Sequence, residues 1–80
     1  MTYNPKDAGN RIKALRVAAG MSQIDLSKRA GITQSAVSSY ENGNYRLYPE
    51  VAIKLAAALD TTPEFLMALD TVSDIQPELA

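Results

Sequence analysis

The side chains here that could meet a ligand are mostly hydroxyls and amides, and they concentrate at residues 33–42, read TQSAVSSYEN. On a helical wheel of about 100° per residue with Val37 turned inward, Tyr40 and Glu41 flank it, and Thr33 and Ala36 lie nearby. Ser35, Ser38, Ser39 and Asn42 point the other way, with Gln34 on the shoulder. That outer side carries no large apolar group and no acid. Glutamine can pair in bidentate fashion with adenine, serine and threonine can meet any base edge, and asparagine can hold a phosphate. Short side chains also let a helix sit deep in a groove. The plainer reading is a solvated surface, and the surrounding elements decide between the two.

Composition excludes most other chemistry. The 80 residues contain no cysteine and no histidine. A disulfide scaffold, a zinc finger, a thiol nucleophile and a histidine-based triad are therefore ruled out. There is no acid pair in a cleft pattern, no glycine-rich phosphate loop and no metal-ligand cluster, so neither an enzyme nor a cofactor is expected.

The elements that must hold the polar face come next. Ser22 is a good N-cap for a helix with Leu26, Ser27 and Ala30 on one face, and Gly31 stops that helix. Thr33 can then cap a second helix running from Gln34 to about Asn42. Two short helices on so tight a link, with small side chains at their crossing, predict a helix-turn-helix whose second helix enters a DNA groove. A preceding helix is expected from residue 7 or 8 to residue 19, with Ala8, Ile12, Leu15 and Ala19 as its core stripe and Gly20 as its stop. Residues 1–6 read as a short arm. Arg11 and Lys13 lie off the stripe and are either phosphate contacts or solvated charges.

Arg16 and Glu41 each fall on a buried edge, where an unpaired charge is costly. Pairing is the cheapest solution, so a salt bridge between the first and third helices is expected. A fourth helix opens at Pro49 with Glu50 in its first turn, and buries Val51, Ala52, Leu55, Ala56 and Leu59. Thr62, Pro63 and Glu64 open a short fifth helix, in which Phe65, the only phenylalanine, is expected to anchor the core. Leu66, Met67 and Leu69 are either the last piece of core or a two-fold contact. A mixture is expected: Phe65 inward, Met67 and Leu69 at a dimer interface, and Leu66 assigned to both. Residues 70–80 are acidic and read as a frayed tail, or as a segment that docks on a partner through Val72, Ile75 and Leu79.

With 46% hydrophobic residues the chain makes one small domain. Its net charge is −1, but residues 1–46 hold seven cations against three acids, and residues 47–80 one cation against six acids. The positive field therefore falls on the half carrying the motif. No apolar run approaches the ~20 residues needed to cross a bilayer, and no signal-peptide pattern opens the chain, so a cytoplasmic protein without membrane contact is expected.

The run MSQIDLSKRAGITQSAVSSYENG, followed by Pro49 and the ALD and FL of the close, resembles the lambda-repressor-like helix-turn-helix family of Cro/C1 or XRE type. Its specific parts are Ser22-Gln23, Leu26, Ala30-Gly31-Ile32, Val37 and Tyr40-Glu41-Asn42-Gly43. The resemblance implies an all-α, compact five-helix DNA-binding domain over residues 1–69 that binds palindromic operators as a homodimer. Phage repressors, restriction–modification controllers and antitoxin DNA-binding halves share it. It implies that Gln23 binds a phosphate with the N-terminus of its helix, and that Thr33, Gln34, Ser35 and Ser39, with Ser38 beside them, read bases. Asn42, Asn44, Tyr45 and Arg46 would hold the backbone on the far side. The Arg–Glu pair of the family falls on Arg16 and Glu41. Ser27 stands where alanine is usual, residues 44–48 form a longer loop, and Asp60-Thr61 replaces Gly-Val, which leaves the turn into the last helix open.

Tyr45 and Tyr48 are expected to pack over the edge of the core. Arg46, in an otherwise uncharged loop, is expected at a phosphate or in the minor groove. Two reading helices would lie ~34 Å apart, one DNA turn, and part of the preference would come from DNA shape. The alternative is a protein-interaction module, antitoxin-like, with a cognate toxin as partner. Such a module would not need Gln23, Gln34 and Ser35 polar and free. RNA polymerase is the further partner of a DNA-bound regulator; no small-molecule ligand is expected.

Overall fold

Asn4 starts the first helix earlier than its apolar stripe suggests. Its side-chain oxygen accepts from the backbone N–H of Lys6 at 2.9 Å and of Asp7 at 3.3 Å, and Pro5 fills the first helical position. Helix α1 therefore spans Pro5–Ala18, and the expected six-residue arm loses Asn4, Pro5 and Lys6 to it. Its far end is also shorter: Ala19 is the C-cap and exposed, not part of the core stripe. The computed structural model describes residues 4–67.

Four more helices follow: α2 (Gln23–Ala30), α3 (Gln34–Glu41), α4 (Pro49–Leu59) and α5 (Pro63–Leu66). Ser22 caps α2, and Asp25 returns the bond to the Ser22 N–H at 3.0 Å, a reciprocal capping box. Gly31 closes α2 in the left-handed conformation at φ 73°. Thr33 caps α3 by accepting from Ala36 N–H at 3.0 Å. Its side chain is exposed, so it does not face the core as its wheel position suggested. Where the family resemblance calls for glycine, Asp60 ends α4 with φ 59°, a left-handed position that aspartate tolerates better than most side chains. Thr62 then caps α5 through Phe65 N–H at 3.1 Å.

The core is built by Ile12, Leu26, Val37, Leu47, Leu55 and Leu66, all fully buried. Each contributes about 1.5–3 kcal/mol by leaving water. One assignment at α5 differs from expectation, and the double assignment of Leu66 resolves to the core. Phe65 is 47% exposed, whereas Leu66 is 0% exposed and fills the core position. A four-residue helix has one inward position, and the cap at Thr62 fixes which residue takes it. Leu47 is the core residue the loop supplies. Ser27, in place of the usual alanine, is buried with its hydroxyl donating to the Ile24 carbonyl at 2.7 Å, which satisfies it locally.

Candidate nucleic-acid interface

Helix α3 lies between α1 and α2, with Val37 pointing into the core and the opposite side outward. Gln34 and Ser35 are exposed beside the Thr33 cap, Ser38 and Ser39 are half-buried, and Asn42 is exposed. The most open part of the polar face is thus the first turn. Further along, Asn42 Nδ2 donates to Ser38 Oγ at 3.4 Å. The Ser39 carbonyl accepts from Asn44 N–H at 2.9 Å and from Tyr45 N–H at 3.4 Å, folding the loop back against the helix.

The expected salt bridge is present. Arg16 Nε donates to Glu41 Oε2 at 2.6 Å and Nη2 to Oε1 at 3.1 Å, while Nη1 donates to the Met21 carbonyl at 2.9 Å. The side chains are 12% and 2% exposed, so the pair is desolvated, and the bond to Glu41 makes the arginine still more basic. Gln23 joins the network: its Nε2 donates to Glu41 Oε1 at 3.1 Å. That bond uses one of two amide protons and fixes the carboxamide at the start of α2. One carboxylate therefore ties together α1, α2 and α3.

The cations divide. Lys13 is exposed. Arg11 is half-buried, and its Nε donates to the Leu66 carbonyl at 3.4 Å. Its guanidinium holds the end of α5, a role outside both alternatives expected for it. Lys6, expected in the arm, is exposed in the first turn of α1, and its Cα would stand 3.0 Å from a β-carbon placed on Gly43. That close approach sets a cation beside the end of α3. The Asn-Pro start of α1 was the signal that could have found it.

In the loop, Asn44 and Arg46 are exposed. Tyr45 meets Tyr40 edge to face, with centroids 5.3 Å apart, yet remains 51% exposed. Tyr48 is 61% exposed and lies under the Arg46 guanidinium, 5.7 Å from the ring centroid. Tyr45 thus packs at the edge of the core on Tyr40, as expected, whereas Tyr48 does not, and Leu47 is the loop residue that enters the core. Of the expected dimer contacts, Leu66 is fully buried and so removed from any interface, Met67 is half-buried, and Leu69 lies outside the described residues, as do residues 70–80. No helix among the described residues is long and apolar enough to cross a membrane.

Comparison with known proteins places this geometry. A model of the helix-turn-helix family HTH_3 matches residues 12–66. Antitoxin HipB of Escherichia coli O6:H1 is 30% identical over 78 residues, covering 98% of this chain and 79% of the antitoxin. The solved restriction–modification controller protein C.AhdI from Aeromonas hydrophila superposes with a TM-score of 0.74 at 35% identity, over 78% of this chain and 94% of that one. The P22 c2 repressor, solved in complex with a synthetic operator, gives 0.72 at 30% identity over 76% and 92%. Against one curated HTH-type transcriptional regulator, matched at 37% identity over 60 residues, the chain spans 31% of the relative's length.

Proposed function

Since the chain belongs to the lambda-repressor-like, Cro/C1-type helix-turn-helix family of DNA-binding transcription regulators, we propose that it binds a palindromic operator as a homodimer, with α3 in the major groove. The observation that carries this reading is the exposed first turn of α3. Gln34 and Ser35 stand open on a helix whose other side is fixed by Val37 and by the Glu41 network. A rigid helix presenting short amides and hydroxyls suits the donor and acceptor pattern of base edges. In this reading Gln34 and Ser35 read bases, with Thr33, Ser38 and Ser39 at the margins. Gln23, Asn42, Asn44, Tyr45, Arg46, Lys13 and Lys6 hold phosphates. Residues 1–69 form the DNA-binding domain, residues 70–80 a tail, and the protein works in the cytoplasm. Met67 and Leu69 serve the two-fold contact, joined by the exposed Phe65.

The likeness to an antitoxin across nearly the whole chain favours a second reading, in which the same fold also docks a toxin. A gel shift on a duplex of about 20 base pairs, selected by the protein from a random library, tests the first. Retention that depends on the selected sequence and weakens steeply with salt supports operator binding. Failure to enrich any sequence leaves partner docking as the better account.

A further inference from the structure

Gly9 lies within the first half of α1 and is buried. A β-carbon there would stand 2.4 Å from the Tyr40 carbonyl oxygen, 2.5 Å from that of Glu41 and 2.8 Å from the Glu41 carbonyl carbon. All three are backbone atoms, so no rotamer change relieves the overlap. The backbone at Gly9 is ordinary helix, where glycine is disfavoured against alanine. The residue is therefore explained by the approach it permits, not by the conformation it adopts. Ile12 and Arg16 continue the same face of α1. Arg16 grips the Glu41 side chain, while Gly9 sits against the carbonyls of Tyr40 and Glu41. One turn of α3 is thus held twice, once by charge and once by contact.

We propose that Gly9 is a positioning residue for α3: its missing side chain lets α1 seat the last turn of that helix at the depth and tilt that bring Gln34 and Ser35 to base edges. The proposal rests on the DNA-reading role given above. A methyl at position 9 must move the carbonyls from 2.4 Å toward the 3.4 Å of ordinary contact, about an ångström. Because α3 is a short rigid rod, a shift at its end tilts the whole element. Base-edge hydrogen bonds work between about 2.7 and 3.2 Å, so an ångström breaks them. Contacts from flexible cations to phosphates tolerate the same shift. Gly9 therefore governs specificity more than overall DNA affinity.

The test compares wild type, Gly9→Ala and the exposed neighbour Asn10→Ala in fluorescence anisotropy. The probes are a duplex selected by the wild type from a random library and a scrambled duplex of equal length. Circular dichroism and thermal melting report the folded fraction. Gly9→Ala is expected to lose on the order of tenfold or more on the selected duplex and under about threefold on the scrambled one. Asn10→Ala should match wild type on both. If Gly9→Ala is unfolded in buffer, the titration is repeated in trimethylamine oxide, which favours compact states. Equal loss on both duplexes, no loss on either, or a variant still unfolded with osmolyte overturns the proposal. Wild type that selects no sequence would instead sink the DNA-reading role itself.

Discussion

The two ends of α3 are held by different physics. Its last turn carries the buried Glu41 and is bound three ways: through the Arg16–Glu41 pair, through Gln23 and against Gly9. Its first turn is anchored by Val37 and the Thr33 cap on one side and open to solvent at Gln34 and Ser35 on the other. The difference separates holding from reading. Side chains at the far end determine where the helix lies and are already committed to partners inside the protein. The exposed pair at the near end, Gln34 and Ser35, contribute little to the fold and are left to meet whatever lies outside. If this division is right, stability and sequence recognition can be removed independently from the same eight-residue helix.

The largest effect belongs to the held end. Glu41→Ala leaves the Arg16 guanidinium desolvated without its carboxylate and releases Gln23. Breaking one side of a buried pair costs ~3–5 kcal/mol, which for a domain of this size lowers Tm by roughly 4–8 °C per kcal/mol. Thermal melting followed at the far-ultraviolet helix signal measures it. A Tm within two or three degrees of wild type would mean that Glu41 is not what fixes the far end.

Gln34→Ala attacks the opposite end and should leave Tm unchanged, since the side chain is exposed. On a selected duplex it should cost ~1–3 kcal/mol of binding, with little change on scrambled DNA. Equal losses on the two would make Gln34 a holder of backbone and erase the contrast between the ends.

How much of this was legible in the sequence follows the same line between local and non-local physics. Ser22, Thr33 and Thr62 each cap the helix expected of them and Pro49 opens its own as first residue, because a cap or a first-turn proline acts within three residues of chain. The Arg16–Glu41 pair could be read because two wheel positions and the cost of buried charge sufficed. Phe65 was set inward beside Leu66 because a helix of four residues has no period from which to take its phase. Leu47 was missed because nothing within a loop says which residue turns inward. Gly9 carried no signal at all, since its reason lies in carbonyls more than 30 residues away. The extra tasks of Gln23 and Arg11, bonded to Glu41 and to the Leu66 carbonyl, are hidden for the same reason.

Arg46 gives a smaller effect and sharpens the comparison from outside the helix. Its guanidinium lies over Tyr48 on an exposed loop, so removing it should disturb stability by less than ~1 kcal/mol. Arg46→Ala should weaken binding to selected and scrambled duplexes alike, and lower the slope of log affinity against log salt by ~0.9 for one lost phosphate contact. A loss confined to the selected duplex would instead give Arg46 a share in reading.

The smallest effect concerns α2, which braces α3. The Asp25 carboxylate is held below the usual range, first by the Ser22 backbone N–H it accepts, then by the Ser22 hydroxyl, with Arg29 and Lys28 adding to it. A depressed folded-state pKa means that the unfolded chain binds the proton more readily. The stabilisation is therefore fully present above the unfolded value of ~3.9 and is lost as pH falls through the folded one. Asp25→Asn keeps the shape of the cap but cannot ionise. Wild type should melt slightly above the variant near neutral pH, and the gap should close at pH below about 4. Because the carboxylate is exposed, salt should narrow the same gap at neutral pH. A gap that instead widens on acidification would show that the charge of Asp25 does not support the cap, and that α2 braces the reading helix by packing through Leu26 and Ala30 alone.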